Sequence, residues 1–269
     1  MLFNEIVGHS KQISLIRRLV EGGVFPQSTL FVGPEGVGKR RIARELFQNL
    51  CGSLNVVEVG VEKPVTVEQV REFSSWLFKK PTSGSGKAVI IDRADEMRGE
   101  AANALLKTLE EPPSYGYICL ISRSESGVLP TIRSRCRIFR FGPLPDSSIS
   151  YLLEKQGLKV DKRVVKLSKG SIGTALKLLE SPVIDLVEEF TSLLKSSDRL
   201  KKVLPFAEKF AKLTREEALL FFDSLEAVVF ERGGVPRWEE LINSARYYLK
   251  FYGKPQSVAE WFVISAFNL

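Results

Sequence analysis

The chain is poor in the residues that metal sites and disulfide frameworks need. Its 269 residues include one histidine, His9, and three cysteines, Cys51, Cys119 and Cys136. The cysteines are odd in number, and no two stand in CxxC spacing. With one histidine they cannot complete a ligand set, so neither zinc nor a disulfide scaffold is expected. They read as small buried apolar side chains. No apolar run approaches the roughly 20 residues of a membrane span. The opening MLFNEIVGHSK lacks a basic stretch followed by an apolar one, which predicts no secretory signal and a cytoplasmic location. There is no internal repeat and no low-complexity tract. Asn and Gln are sparse, at six each, a bias found in thermophile proteins.

What remains is an ordinary globular composition, 44% hydrophobic and 26% charged, long enough for two or three domains. The net charge is +7. The excess lies mainly in the first half, where residues 1–143 carry 20 Lys and Arg against 15 Asp and Glu. Such a bias suits phosphate contact without requiring it.

Periodicity divides the chain into an alternating half and a helical half. Residues 12–21 carry Ile13, Ile16, Leu19 and Val20 at helical intervals, with Ser10 placed to cap them. Residues 29–32 read as a strand. The glycine-rich turn Gly33-Pro34-Glu35-Gly36-Val37-Gly38-Lys39 follows, and then a helix over 40–50. Strand, glycine turn and helix form the setting of a phosphate cradle. There the backbone N–H groups of Gly33, Gly36 and Gly38 approach phosphate, and Lys39 reaches the β and γ phosphates. A strand at 56–59, a helix at 67–78 and a turn at 81–86 come next.

The most informative stretch is 87–141. Ala88 to Ile91 is an unbroken apolar run ending in Asp92, as in a strand buried on both faces. Asp92 then falls at the carboxyl end of that strand, where open α/β sheets bind ligands. A helix at 100–111 stops at Pro112-Pro113, a strand is expected at 117–121, and the segment ends in LPTIRSRCRIFRF.

The series IIDRAD, AANALLKTLEEPP and LPTIRSRC, with the phosphate-loop segment 33–39 ahead of it, resembles the ATPase core of bacterial sliding-clamp loaders within the AAA+ family. The resemblance covers about the first half of the chain. It implies an α/β fold: a parallel-sheet AAA+ core with helices on both faces over 1–143, a small helical lid over 144–181 and an all-helical oligomerisation collar over 182–269. The last region reads as helices at 183–194, 198–212, 215–231, 238–252 and 258–267, dense in aromatics such as Phe221, Phe222, Phe230, Trp238, Tyr247 and Phe262. Apart from the resemblance, it is an ordinary helical-bundle core. The resemblance also puts Val7 and Gly8 near an adenine pocket and makes Ser122, Arg123 or Ser124 the γ-phosphate sensor. It implies the gamma/tau ATPase subunit, the delta subunit, the sliding clamp and primed DNA as partners in a hetero-oligomer. Many relatives carry a four-cysteine zinc module after the phosphate-loop helix, which this chain lacks.

Three positions depart from an active site of this kind. The phosphate-loop motif ends in Gly-Lys followed by Ser or Thr, whose hydroxyl holds Mg²⁺; here Arg40 follows, with a fixed charge and no acceptor. The glutamate expected after Asp92 is Arg93, and a cation cannot act as general base. Gly173 stands where active relatives have an arginine. Yet Ser134-Arg135-Cys136 is intact, and the resemblance makes Arg135 a finger pointing into the neighbouring subunit's nucleotide site. The expectation is a loader subunit that does not hydrolyse ATP and needs no cofactor or metal, with a vestigial nucleotide site at Gly33, Gly36, Gly38, Lys39 and Asp92. Residual ATP or ADP binding stays open. The alternatives are an active gamma/tau-type ATPase and a DNA-binding adaptor outside replication.

Overall fold

In the computed structural model, placement is described for residues 2–194, 196, 199–231, 236–251 and 253–267. Asp198, the expected joint at Gly233-Gly234-Val235, Tyr252, and the side chains of Phe230 and Phe267 lie outside the described residues. Contacts gather the chain into two units: Met1–Gln156 with Gly170–Gly173, and Gly157–Lys169 with Thr174–Leu269.

The first unit is built on five parallel strands: β1 (Ser28–Val32), β2 (Val56–Val59), β3 (Lys87–Ile91), β4 (Gly116–Ser122) and β5 (Arg137–Arg140), in the order β2-β3-β4-β1-β5. Side chains alternate across the sheet, so the continuous apolar runs feed two cores. On one face Phe31, Ile90, Cys119 and Phe139 pack with Ile16 of α1 (Ser10–Glu21) and with Ile42 and Leu46 of α2 (Lys39–Cys51). On the other, Leu30, Val89, Ile91 and Leu120 meet α3 (Val67–Phe78), α4 (Gly99–Glu110) and Ile132 of the short α5 (Pro130–Arg133). The parallel sheet covered on both faces matches the architecture expected from the sequence.

Helix ends follow local chemistry. Thr66 and Gln69 form a reciprocal capping box on α3. At α1 the expectation of a Ser10 cap is corrected. Ser10 is the first helical residue, and His9 precedes it in the left-handed region at φ 52 with no side-chain cap. The His9 ring is engaged elsewhere, bonded to the Val37 carbonyl at 2.9 Å and edge-on to Phe141. The segment 144–181, expected as a lid, contributes α6 (Asp146–Lys155) to the first unit. It contributes α7 (Lys162–Leu167) and most of α8 (Ile172–Glu180) to the second.

The second unit continues through α9 (Val183–Leu193), α10 (Arg199–Ala211), α11 (Arg215–Glu231), α12 (Pro236–Phe251) and α13 (Pro255–Phe267). Its core is aromatic: Phe190 touches the rings of Phe206, Phe221, Trp238 and Phe262. Tyr247, Tyr248 and Phe251 remain exposed on α12. Among the described residues no helix is long and apolar enough to cross a membrane, and no group of three metal-ligating side chains occurs.

Candidate functional site

The carboxyl ends of β1, β3 and β4 bring together the phosphate-loop turn, Asp92 and Ser122, as the parallel order requires. The turn is shaped by close backbone approaches. Gly36 has φ 74, and a Cβ there would lie 2.3 Å from Ser171 Oγ and 3.1 Å from Gly173 N. A Cβ at Gly33 would meet the Phe141 carbonyl oxygen at 2.0 Å. Only glycine fits either place.

The turn is occupied by the chain's own groups. Lys39 is buried, and its ammonium donates to the carbonyls of Gly33 at 2.5 Å and Pro34 at 2.6 Å. Burial pushes its pKa down to about 8, against the opposing pull of Asp92 and Glu35. Gly173 N–H donates to the Gly36 carbonyl at 3.1 Å, and a Cβ on Gly173 would stand 3.0 Å from Gly36 Cα. A side chain at 173 would therefore require the Gly36 backbone to give by a few tenths of an ångström. The segment 170–173 rests directly on the loop.

Arg40 Nη1 lies 3.6 Å from Asp92 Oδ2, so the carboxylate that a bound cation would need already faces a guanidinium. Arg93 is left-handed at φ 51. Its N–H donates to Asp92 Oδ1 at 2.9 Å, and its guanidinium reaches the Glu62 carbonyl and Glu96. Glu96 also accepts from Arg123 at 2.5 Å, so this acidic side chain near Asp92 is held by two cations. Arg123 donates to Asp95 as well. Burial pushes the Asp95 carboxyl up, but the bonds from Arg123 outweigh it and hold the pKa below the usual range. Of the expected sensors, Ser122 donates to the Ser124 carbonyl at 2.6 Å, and Ser124 Oγ accepts from Gly127 N–H at 3.2 Å.

The Ser134-Arg135-Cys136 motif is on the turn after α5, clear of the phosphate loop in sequence and anchored by backbone bonds. Ser134 N–H donates to the Pro130 carbonyl at 3.0 Å and Arg135 N–H to Ile132 at 3.1 Å. The Arg135 side chain is 35% exposed. Its Nε donates to Glu110 Oε1 at 2.8 Å, its Nη2 bonds the same oxygen, and its Nη1 donates to the Thr131 carbonyl at 2.8 Å. Cys136 has its thiol pushed up to about 12 by burial, which makes it inert at neutral pH. Glu110, Ser171 and His9 were not identifiable beforehand. Glu110 bonds Arg135 25 residues away and His9 bonds the Val37 carbonyl 28 residues away, and no spacing rule links either pair.

A family profile described as DNA polymerase III, delta subunit, matches residues 53–145. Human replication factor C subunit 4 is 30% identical over 84% of this chain and 67% of that protein. The DNA polymerase III subunit delta' of Pseudomonas aeruginosa is 32% identical over 55% of this chain and 54% of its own length. A solved DNA polymerase III gamma subunit-related protein of Thermotoga maritima superposes with a TM-score of 0.62 at 19% identity, covering 95% of this chain and 98% of that one. The chain spans a little over half the length of the first curated relatives it matches. An α/β core with a parallel sheet and a phosphate-loop turn defines the class, an AAA+ fold. Within that class the chain belongs to the clamp-loader family, with relatives among DNA polymerase III and replication factor C subunits.

Proposed function

We propose that this chain is a delta-prime-type subunit of a clamp loader, one that does not hydrolyse ATP itself but helps load a sliding clamp on primed DNA during replication. The observation that carries the reading is the Arg40–Asp92 pair at 3.6 Å, in the place where an active site holds its cation. The residues present do not fit a magnesium nucleotide. No hydroxyl follows Lys39, Arg93 replaces the base, and Gly173 rests on Gly36. Hydrolysis by the isolated chain is therefore not expected, and no cofactor is required. The partners on this reading are a gamma/tau-type ATPase, a delta subunit, the clamp acting through the complex, and primed DNA, in a cytoplasmic hetero-oligomer.

Arg135 is the chemical contribution to that assembly. A guanidinium stays charged and offers forked donors matched to phosphate oxygens. Its Pro-anchored turn and partial exposure support a role in stabilising charge on a phosphoryl group in an adjoining subunit's site. Fingers of this kind are worth on the order of 10³–10⁵ in rate at one site. The test is the steady-state ATPase rate of a complex reconstituted with gamma/tau-type and delta subunits, clamp and primed DNA. Arg135→Ala should lower it partially, since other sites in the ring keep their own fingers, and Arg135→Lys should substitute poorly. Equal rates in all three, with assembly verified, would return Arg135 to a surface charge. The retained Lys39 and Asp92 favour a second reading, a working gamma/tau-type ATPase. Turnover by the purified chain, abolished by Lys39→Ala, would establish it.

A further inference from the structure

We infer that Glu110 is a positioning residue for Arg135, fixing which edge of its guanidinium is presented outward; this rests on the finger reading above. The two residues are 25 positions apart in sequence, at the last residue of α4 and the turn after α5. A single carboxylate oxygen, Glu110 Oε1, accepts from both Nε and Nη2. On the other flank Nη1 donates to the Thr131 carbonyl at 2.8 Å and to Ser134 Oγ at 3.3 Å. A guanidinium has five N–H donors in a planar fork. Glu110 takes the Nε–Nη2 edge, and Nη1 is engaged by Thr131 and Ser134, so the second hydrogen of Nη2, at the outer end of the fork, is what these partners leave for an incoming oxyanion.

The pair is poorly explained as a stabiliser. The two side chains are 35% and 48% exposed, and an ion pair that open to water contributes little to folding. What it supplies is direction. An arginine has several rotatable bonds, and a finger acts only when its N–H groups already point to where charge develops. Glu110 and Thr131 hold the guanidinium plane from two sides while the backbone holds its root. Both groups come from this chain, so the orientation exists before a neighbour docks.

The test uses the reconstituted complex with gamma/tau-type and delta subunits, clamp and primed DNA, at saturating ATP. Freeing one rotamer-rich side chain predicts that Glu110→Ala lowers the finger-dependent part of kcat about 2- to 10-fold, with KM for ATP unchanged. Glu110→Gln keeps an acceptor oxygen and should retain most of the rate. The double variant Glu110→Ala/Arg135→Ala should match Arg135→Ala alone, because Glu110 acts through the arginine. A Glu110→Ala rate equal to or above wild type overturns the inference, as does multiplication of the two effects in the double variant. If Arg135→Ala is slow while Glu110→Ala is normal, only this inference fails. If Arg135→Ala itself is normal, the finger reading fails and takes the inference with it.

Discussion

If the phosphate-loop turn binds nucleotide, replacing Arg40 by threonine should strengthen the dependence of that binding on magnesium. Arg40 Nη1 stands 3.6 Å from Asp92 Oδ2. A divalent ion held on that carboxylate would meet the guanidinium at about 4 Å, a repulsion of about 2 kcal/mol under water-like screening and about 8 kcal/mol at an effective dielectric near 20. The side chains are 42% and 22% exposed, so solvent reaches the pair and the lower figure governs. That figure corresponds to about 30-fold in affinity. Threonine also restores the missing hydroxyl ligand. The measurement is a titration with a fluorescent ADP analogue, in magnesium and in EDTA, for wild type and Arg40→Thr. Magnesium should leave wild-type binding unimproved and tighten the variant about 30-fold. In EDTA the variant should bind no tighter, because the substitution removes a cation that attracts phosphate. On the proposed reading neither protein should hydrolyse ATP, since Arg93 occupies the position of the base in both. Equal magnesium dependence in the two proteins would refute the reasoning.

Lys39 should make stability rise with pH. Its folded pKa is about 8 against 10.5 when free, so between those values the unfolded chain binds the extra proton and folding gains as pH rises, by at most about 3 kcal/mol. Below pH 8 both states are charged and the gain is absent. The carbonyls of Gly33 and Pro34 favour the charged form and keep the gain under that ceiling. Urea unfolding of wild type and Lys39→Met from pH 7 to 10 checks this, and a difference between them that stays flat with pH would count against it. In the second unit Phe190 is fully buried, and among the described residues Phe206, Phe221, Trp238 and Phe262 pack against its ring. Phe190→Ala should cost about 3–5 kcal/mol, read as a lower urea midpoint with unchanged slope.

Local pattern was enough for the parallel core. Runs such as Ala88–Ile91 bury both faces of the sheet, so apolar continuity marks the strands, and the Gly33–Lys39 segment marks the turn between β1 and α2. Residue type alone also sets what Arg40 can do, because a guanidinium cannot ligate a cation wherever the backbone carries it. The mutual arrangement was not legible. That Arg40 turns onto Asp92, that Lys39 bonds its own loop, and that Gly173 closes on Gly36 depend on side-chain directions and loop approaches between residues distant in sequence. The His9 turn went against the local capping rule because its ring bonds the Val37 carbonyl and packs against Phe141. The aromatic side chains of the second half divide for the same reason. Phe221 and Phe262 are buried against Phe190, whereas Tyr247 and Phe251 face outward. Composition counts aromatic rings, but only packing between helices decides which of them water can reach.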